Sequence, residues 1–200
     1  MYEFTVITST VLLLLSAADY IRRAWKGETR PVLATWILLT VMMSLSLWMY
    51  YNSDRMSWTA NVGITGGFVN VLMILIGIMA TNLRNRTLHL AFDPVQRWCL
   101  LGGAGVLLFW FFTEKPLLSY GLVQLIALIA YAATVKRLWH AKTSTEPLFL
   151  WVAVLTANLC AIYPAWVKHD PFSAIYLARA VPATAGMIYL IARIKRRHIS

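Results

Sequence analysis

Tyr20-Ile21-Arg22-Arg23-Ala24-Trp25, followed by Arg30-Pro31-Val32-Leu33-Ala34-Thr35-Trp36, occurs a second time in altered form. The second copy is Thr134-Val135-Lys136-Arg137-Leu138-Trp139, followed by Glu146-Pro147-Leu148-Phe149-Leu150-Trp151. Each copy runs from the end of an apolar span, through a basic turn with a tryptophan, to a proline that starts the next span. The offset is 114 residues for the first tryptophan (25 to 139), 116 for the proline (31 to 147) and 115 for the second tryptophan (36 to 151). Asn82-Leu83-Arg84-Asn85-Arg86 against Arg193-Ile194-Lys195-Arg196-Arg197 closes the unit at an offset of 111 (82 to 193). Duplication at a near-constant offset is the mark of an architecture built from two copies of one unit.

The units are membrane units. Of 200 residues, 60% are hydrophobic and 13% charged, against roughly 45–50% and about 25% in soluble domains. The net charge of +10 does not indicate nucleic acid, because the cations sit between apolar spans instead of gathering on one face. Cys99 and Cys160 both lie in apolar spans and read as buried thiols. Glu3 before the first apolar run, and Arg22-Arg23 after it, fit a retained helix better than a cleaved signal peptide.

A span needs about 20 mostly apolar residues. Seven stretches qualify: Glu3–Ile21, Val32–Tyr51, Trp58–Asn82, Pro94–Thr113, Lys115–Leu138, Pro147–Val167 and Pro171–Ile194. Gly102-Gly103-Ala104-Gly105 makes the fourth the weakest helix, although small residues also serve close packing in lipid. The charges alternate with this count. Arg22, Arg23, Lys26, Arg30, Arg84, Arg86, Arg97, Lys136, Arg137, Lys142, Arg193, Lys195, Arg196 and Arg197 fall on one side. Arg55, Lys115 and Lys168 fall on the other, and Arg179 lies within a span. The positive-inside rule then puts the N-terminus outside and the C-terminus in the cytosol.

The expected fold is therefore all-α and integral to the membrane, with seven transmembrane helices in a 3+1+3 arrangement of parallel triple-helix bundles. Residues 1–86 form the first bundle, 87–114 the linker helix, and 115–200 the second bundle with a basic cytosolic tail. This layout resembles the SWEET and PQ-loop sugar-transporter group and is similar to the PnuC-type vitamin transporters. Gly27-Glu28-Thr29-Arg30-Pro31 also matches the Gly-x-Thr-Arg-Pro turn of uncharacterised seven-span bacterial proteins. The resemblance implies a transporter of the bacterial inner (plasma) membrane. The chain departs from the PQ-loop pattern at Asp19-Tyr20 and Ala133-Thr134, where that group carries Pro-Gln. Pro31 and Pro147 keep a proline at the inner end of the second helix of each bundle, as gate or hinge candidates.

Polar groups deep in a bilayer are costly. At about 1.5 Å per residue, Asn70, Asn158, Arg179 and Gln124 share roughly one level near the midplane, where repeat-built transporters bind substrate. The three amides read either as substrate contacts or as interhelical hydrogen bonds. Arg179 has three readings: an anionic ligand, snorkelling toward Glu114 or Asp170, or a structural pair. Trp48 and Tyr163, 115 residues apart (48 to 163), form either an aromatic lid or part of the interfacial belt. Asp19 is either a gate or a partner of Arg22 and Arg23. Pro182 and the Gly63-Ile64-Thr65-Gly66-Gly67 run mark either hinges or packing.

Enzyme chemistry is not expected. His89, His140, His169 and His198 have no ligand-like spacing in a span, and span 7 offers no lysine for retinal. The reading is a facilitator that moves a sugar, vitamin or organic anion by alternating access. The alternatives are a non-transporting receptor or adaptor, or a lipid-handling protein or enzyme. The partners expected are the bilayer, a small polar solute and, as an open alternative, a second copy of the chain. Neither nucleic acid nor a cofactor or metal is expected.

Overall fold

Seven helices follow one another, each close to a predicted span. The computed structural model describes residues 1–29, 31–86, 90–140 and 146–196, and at 132–134, 136, 137 and 140 the backbone alone. Arg30, Lys142 and Arg197 of the charge pattern, with His89 and His198, lie outside the described residues. So do the side chains of Ala133, Thr134, Lys136, Arg137 and His140. The helices are α1 (Tyr2–Trp25), α2 (Leu33–Tyr51), α3 (Val62–Asn85), α4 (Pro94–Thr113), α5 (Pro116–His140), α6 (Leu148–Val167) and α7 (Pro171–Arg196).

Among the described residues six of them, all but α5, are long and apolar enough to cross a membrane. α5 is apolar over Pro116–Tyr131, and its 25 residues extend about 37 Å at about 1.5 Å each. Large apolar side chains face outward, with Phe112 81% and Trp166 75% exposed. A soluble fold would bury them; lipid solvates them. The chain is a helical integral membrane protein.

Helix ends differ from the predicted ones for local reasons. α1 runs past Ile21 to Trp25 because arginine is a good helix former and a cation at a helix C-terminus meets the negative end of the dipole. Gly27, at φ +74°, then stops it: its N–H bonds Ala24 O at 3.1 Å and that of Glu28 bonds Arg23 O at 2.9 Å. These are the two bonds of a glycine-terminated helix end. α3 begins at Val62 rather than Trp58, since the Asn61 side chain caps it by accepting from Ile64 N. α4 starts at Pro94 with a reciprocal Asp93–Gln96 capping box. Its glycine run does not break it. A side chain on Gly103 would meet Met42, and one on Gly102 would meet Ile126, so these two glycines let α4 lie close to α2 and α5.

Chain order is not packing order. α3 packs against both α1 and α2, and α7 against both α5 and α6. The halves join where α1 meets α6 and α2 meets α5, while α4 lies on α5 and α2. Contacts at the helix ends fix direction. Trp25 stacks under Arg84 at 4.9 Å, joining the ends of α1 and α3. Trp139 stacks under Arg193 at 4.0 Å, joining the ends of α5 and α7. This is the basic end. At the opposite end Tyr50, near the end of α2, meets Asp170 at the start of α7.

Two apolar cores occupy the two ends. One gathers Met42, Tyr50, Ile64, Tyr120 and Phe172. The other, toward the basic end, gathers Tyr20, Trp36, Ile78, Trp151 and Ile191. Asn70, Gln124, Asn158 and Arg179 belong to neither.

Candidate functional site: a polar cavity between two cores

Asn70, Asn158 and Arg179 line one space, and Gln124 is bonded to Arg179. Arg179 reaches from α7 to α5, where its Nε–H donates to Gln124 Oε1 at 2.8 Å. Gln124 in turn donates through Nε2 to Ser46 Oγ on α2 at 2.7 Å. The guanidinium also lies over two rings, 5.1 Å from the centroid of Tyr176 and 5.8 Å from that of Tyr131. Ring faces carry partial negative charge, so this cradle eases a cation in an apolar layer without neutralising it. Tyr176 lies one turn before Arg179 on α7, and its ring presses on α3. A Cβ on Gly63 would stand 2.5 Å from Tyr176 Cε1, and one on Gly67 would stand 3.2 Å from its hydroxyl. The Gly63–Gly67 run therefore seats the ring that supports the arginine.

Among the described residues Arg179 makes no ion pair. Glu114 and Asp170, the acids of the snorkelling reading, are not its partners among the described residues; Gln124 is.

A cavity of about 60 Å³ opens beside this group, lined among others by Asn70, Trp151, Asn158, Arg179 and Thr184. A vestibule of about 90 Å³ adjoins it toward the basic end, lined by Thr35, Gln96, Glu146 and Met187 among others. Trp36, Leu39, Tyr131 and Trp151 line both spaces and so form the wall between them.

The polar groups in the cavity wall differ in one respect. Asn70 is engaged: its amide donates to Leu13 O at 2.6 Å and Ser16 Oγ at 2.8 Å, tying α3 to α1. Trp36 Nε1 donates to Tyr20 Oη at 3.2 Å. Asn158 is 1% exposed, yet among the described residues neither its Nδ2 nor its Oδ1 has a partner, and the same holds for Trp151 Nε1. A buried polar atom with no partner costs about 1–3 kcal/mol, so three in one wall ask for an explanation.

At the opposite end Tyr50 and Asp170 form a hydrogen-bonded cluster. The buried Tyr50 hydroxyl lies 2.9 Å from Asp170 Oδ2 and 3.0 Å from Ser57 O, and accepts from Ser57 N at 2.9 Å. Asp170 Oδ1 accepts from Phe172 N at 3.0 Å. Burial pushes the Asp170 carboxyl above its ordinary value, although the Tyr50 hydroxyl and backbone amides pull the other way. Phe172 stacks at 5.3 Å on Tyr50 and 5.1 Å on Tyr120, leaving an aromatic plug behind the cluster.

The remaining sequence candidates lie elsewhere. Trp48 is 51% exposed and packs edge-on against Trp110 at 6.3 Å, in an apolar groove between α2 and α4. Tyr163 is 39% exposed and does not line the cavity. The two form no lid over it, since neither lines the cavity. Asp19 takes the plainer of its two readings, bonded to Arg22 and Arg23 at 2.7 Å each. Pro31 precedes Val32, the N-cap of α2; Pro147 is the N-cap of α6; Pro182 lies within α7. Sequence reasoning passed over Trp36, Trp151, Tyr131 and Tyr176. Tyr176 falls three residues before Arg179, and Tyr131 seven after Gln124, so helical spacing alone sets each on the face of its neighbour.

The chain matches no family model, no curated protein and no solved structure.

Proposed function

We propose that this protein is a seven-span facilitator that moves a small polar solute by alternating access around the Arg179–Asn158 cavity. The observation that carries the reading is the cavity itself. It holds three polar atoms without partners among the described residues, adjoins a vestibule at the basic end, and is shut off at the opposite end by the Tyr50–Asp170 cluster. Asn70 and Gln124 bond their amides to neighbouring helices, and Asn158 does not among the described residues.

The 3+1+3 parallel repeat belongs to the same proposal. It draws support from three of the helix pairings, which recur when α1, α2 and α3 are exchanged for α5, α6 and α7, although α3–α6 has no α7–α2 counterpart. α1–α3 becomes α5–α7, α2–α3 becomes α6–α7, and α1–α6 becomes α5–α2. The two tryptophan–arginine stacks exchange in the same way. With the basic end in the cytosol, the structure corresponds to a state closed to the outside. Substrate contacts fall to Arg179 and Asn158, with Asn70 and Gln124 as supports. The membrane is assigned as a bacterial inner membrane.

A single cysteine tests this. In a Cys99→Ser, Cys160→Ser background, Thr184→Cys places a thiol in the cavity wall. Alternating access makes it reactive to membrane-impermeant reagents from both sides, and Tyr50→Phe raises the outside rate. Reactivity from one side only, unchanged in Tyr50→Phe, would instead fit the receptor or adaptor reading. The apolar groove of Trp48, Trp110 and Phe111 is what a lipid-handling reading would use; that reading predicts no reactivity at Thr184→Cys from either side.

A further inference from the structure

Resting on that reading, we infer that the solute is a compact organic monoanion, a carboxylate of about four to six non-hydrogen atoms bearing a hydroxyl or amide donor. Charge comes first. Arg179 brings a guanidinium cation, lies between two apolar cores, and makes no ion pair among the described residues. A single uncompensated cation in such a layer is balanced by one negative charge; a dianion would leave the layer negative. The carboxylates near the path, Asp93 and Glu146, line the vestibule and not the cavity. Asp93 there caps α4 through Gln96 N.

Donor and acceptor numbers agree with the charge. The cavity wall offers the Asn158 amide hydrogens and the Trp151 N–H, both without partners, beside the guanidinium. Against these donors stands one unpartnered acceptor, Asn158 Oδ1. A carboxylate supplies lone pairs to the donors, and one hydroxyl on the solute supplies the hydrogen that Asn158 Oδ1 lacks. Trp151 sits in the wall shared with the vestibule, so its N–H meets the solute first on the way in.

Size sets the upper limit. The cavity of about 60 Å³ holds about four to six water-sized groups at about 10–15 Å³ each. That admits a two- or three-carbon acid and excludes a hexose unless the wall of Trp36, Tyr131 and Trp151 opens.

The test is binding by the detergent-purified full chain, read as a rise in melting temperature with ligand concentration, at constant ionic strength. Probes are sodium lactate, sodium propionate, lactamide and sodium chloride. Lactate is expected to raise the melting temperature most and propionate less, with no shift from lactamide or chloride. Arg179→Gln is expected to weaken lactate binding about tenfold or more, and Arg179→Lys to weaken it less. Equal shifts with lactate and lactamide, a chloride shift matching that of lactate, or an Arg179→Gln protein that binds lactate like the wild type would each overturn the inference. So would no shift with any probe. In those cases two-sided labelling of Thr184→Cys still upholds the transport site and leaves only the solute misassigned; one-sided labelling removes both.

Discussion

Trp36 and Trp151 face the same cavity from opposite halves of the chain, and they differ in one hydrogen bond. Trp36 Nε1 has the Tyr20 hydroxyl; Trp151 Nε1 has nothing among the described residues. The asparagines divide the same way. Asn70 binds its amide into α1, whereas Asn158 leaves both side-chain atoms bare. At this cavity the α3 asparagine ties helices together, whereas the α6 asparagine leaves its amide open among the described residues. Within one cavity wall the burial of a residue thus says less about its role than whether its bonds are filled.

That contrast can be broken most forcefully at the scaffold. Gly63→Ala drives a methyl into the Tyr176 ring, and overpacking of this kind costs about 1–3 kcal/mol. Gly186→Ala, with open space around its Cβ, is expected to be neutral or slightly stabilising. Melting curves of the two variants compare them directly. Because Tyr176 cradles Arg179, Gly63→Ala is expected to lose solute binding as well. Intact binding in a destabilised Gly63→Ala protein would separate the cradle from the site.

Smaller changes sharpen the comparison. Asn70→Leu is expected to lower stability by about 1 kcal/mol, the scale of a hydrogen bond between helices in lipid. Asn158→Leu is expected to leave melting unchanged or raise it, since it deletes unsatisfied atoms, while abolishing binding. Trp36→Phe and Trp151→Phe should repeat the pattern with smaller amplitude. Equal destabilisation at Asn70 and Asn158 would erase the distinction between the halves.

The smallest expected effect is a slope. Asp170, where the halves meet at the closed end, has a carboxyl raised above its ordinary value by burial. Between the ordinary and the raised value the folded protein holds a proton that the unfolded chain has released. This group's contribution is therefore fully present at pH below the unfolded value near 3.8 and declines as pH climbs through the folded one. Asp170→Asn cannot titrate, so its melting temperature should lack that decline. Parallel curves for both proteins above pH 4 would refute the assignment.

Much of this was legible in the residues. Apolar length and alternating charge locate the helices to within about four residues, because bilayer thickness sets the first and orientation the second. The ends were misjudged where local chemistry outweighs apolarity, as with Arg22–Trp25 prolonging α1 and Asn61 delaying α3. Depth counting brought Asn70, Gln124, Asn158 and Arg179 to one level, since rise per residue is nearly constant. It said nothing of azimuth, so Trp48 and Tyr163 shared a depth without sharing a space. Nor does spacing show which amides are filled: Asn70 and Asn158 look alike until Ser16 and Leu13 are placed beside one of them.

The bare indole of Trp151 has an optical consequence. Of nine tryptophans, only Trp36 and Trp151 are buried, at 6% and 8% exposure, while Trp25, Trp48, Trp58, Trp98, Trp139 and Trp166 are each about half exposed or more. A quencher dissolved in lipid darkens the outward-facing set first, and the partly buried Trp110 less, and leaves chiefly the emission of the two at the cavity. Any molecule that accepts the free N–H shifts the colour of that remaining light, so the protein carries a built-in dye at its own threshold.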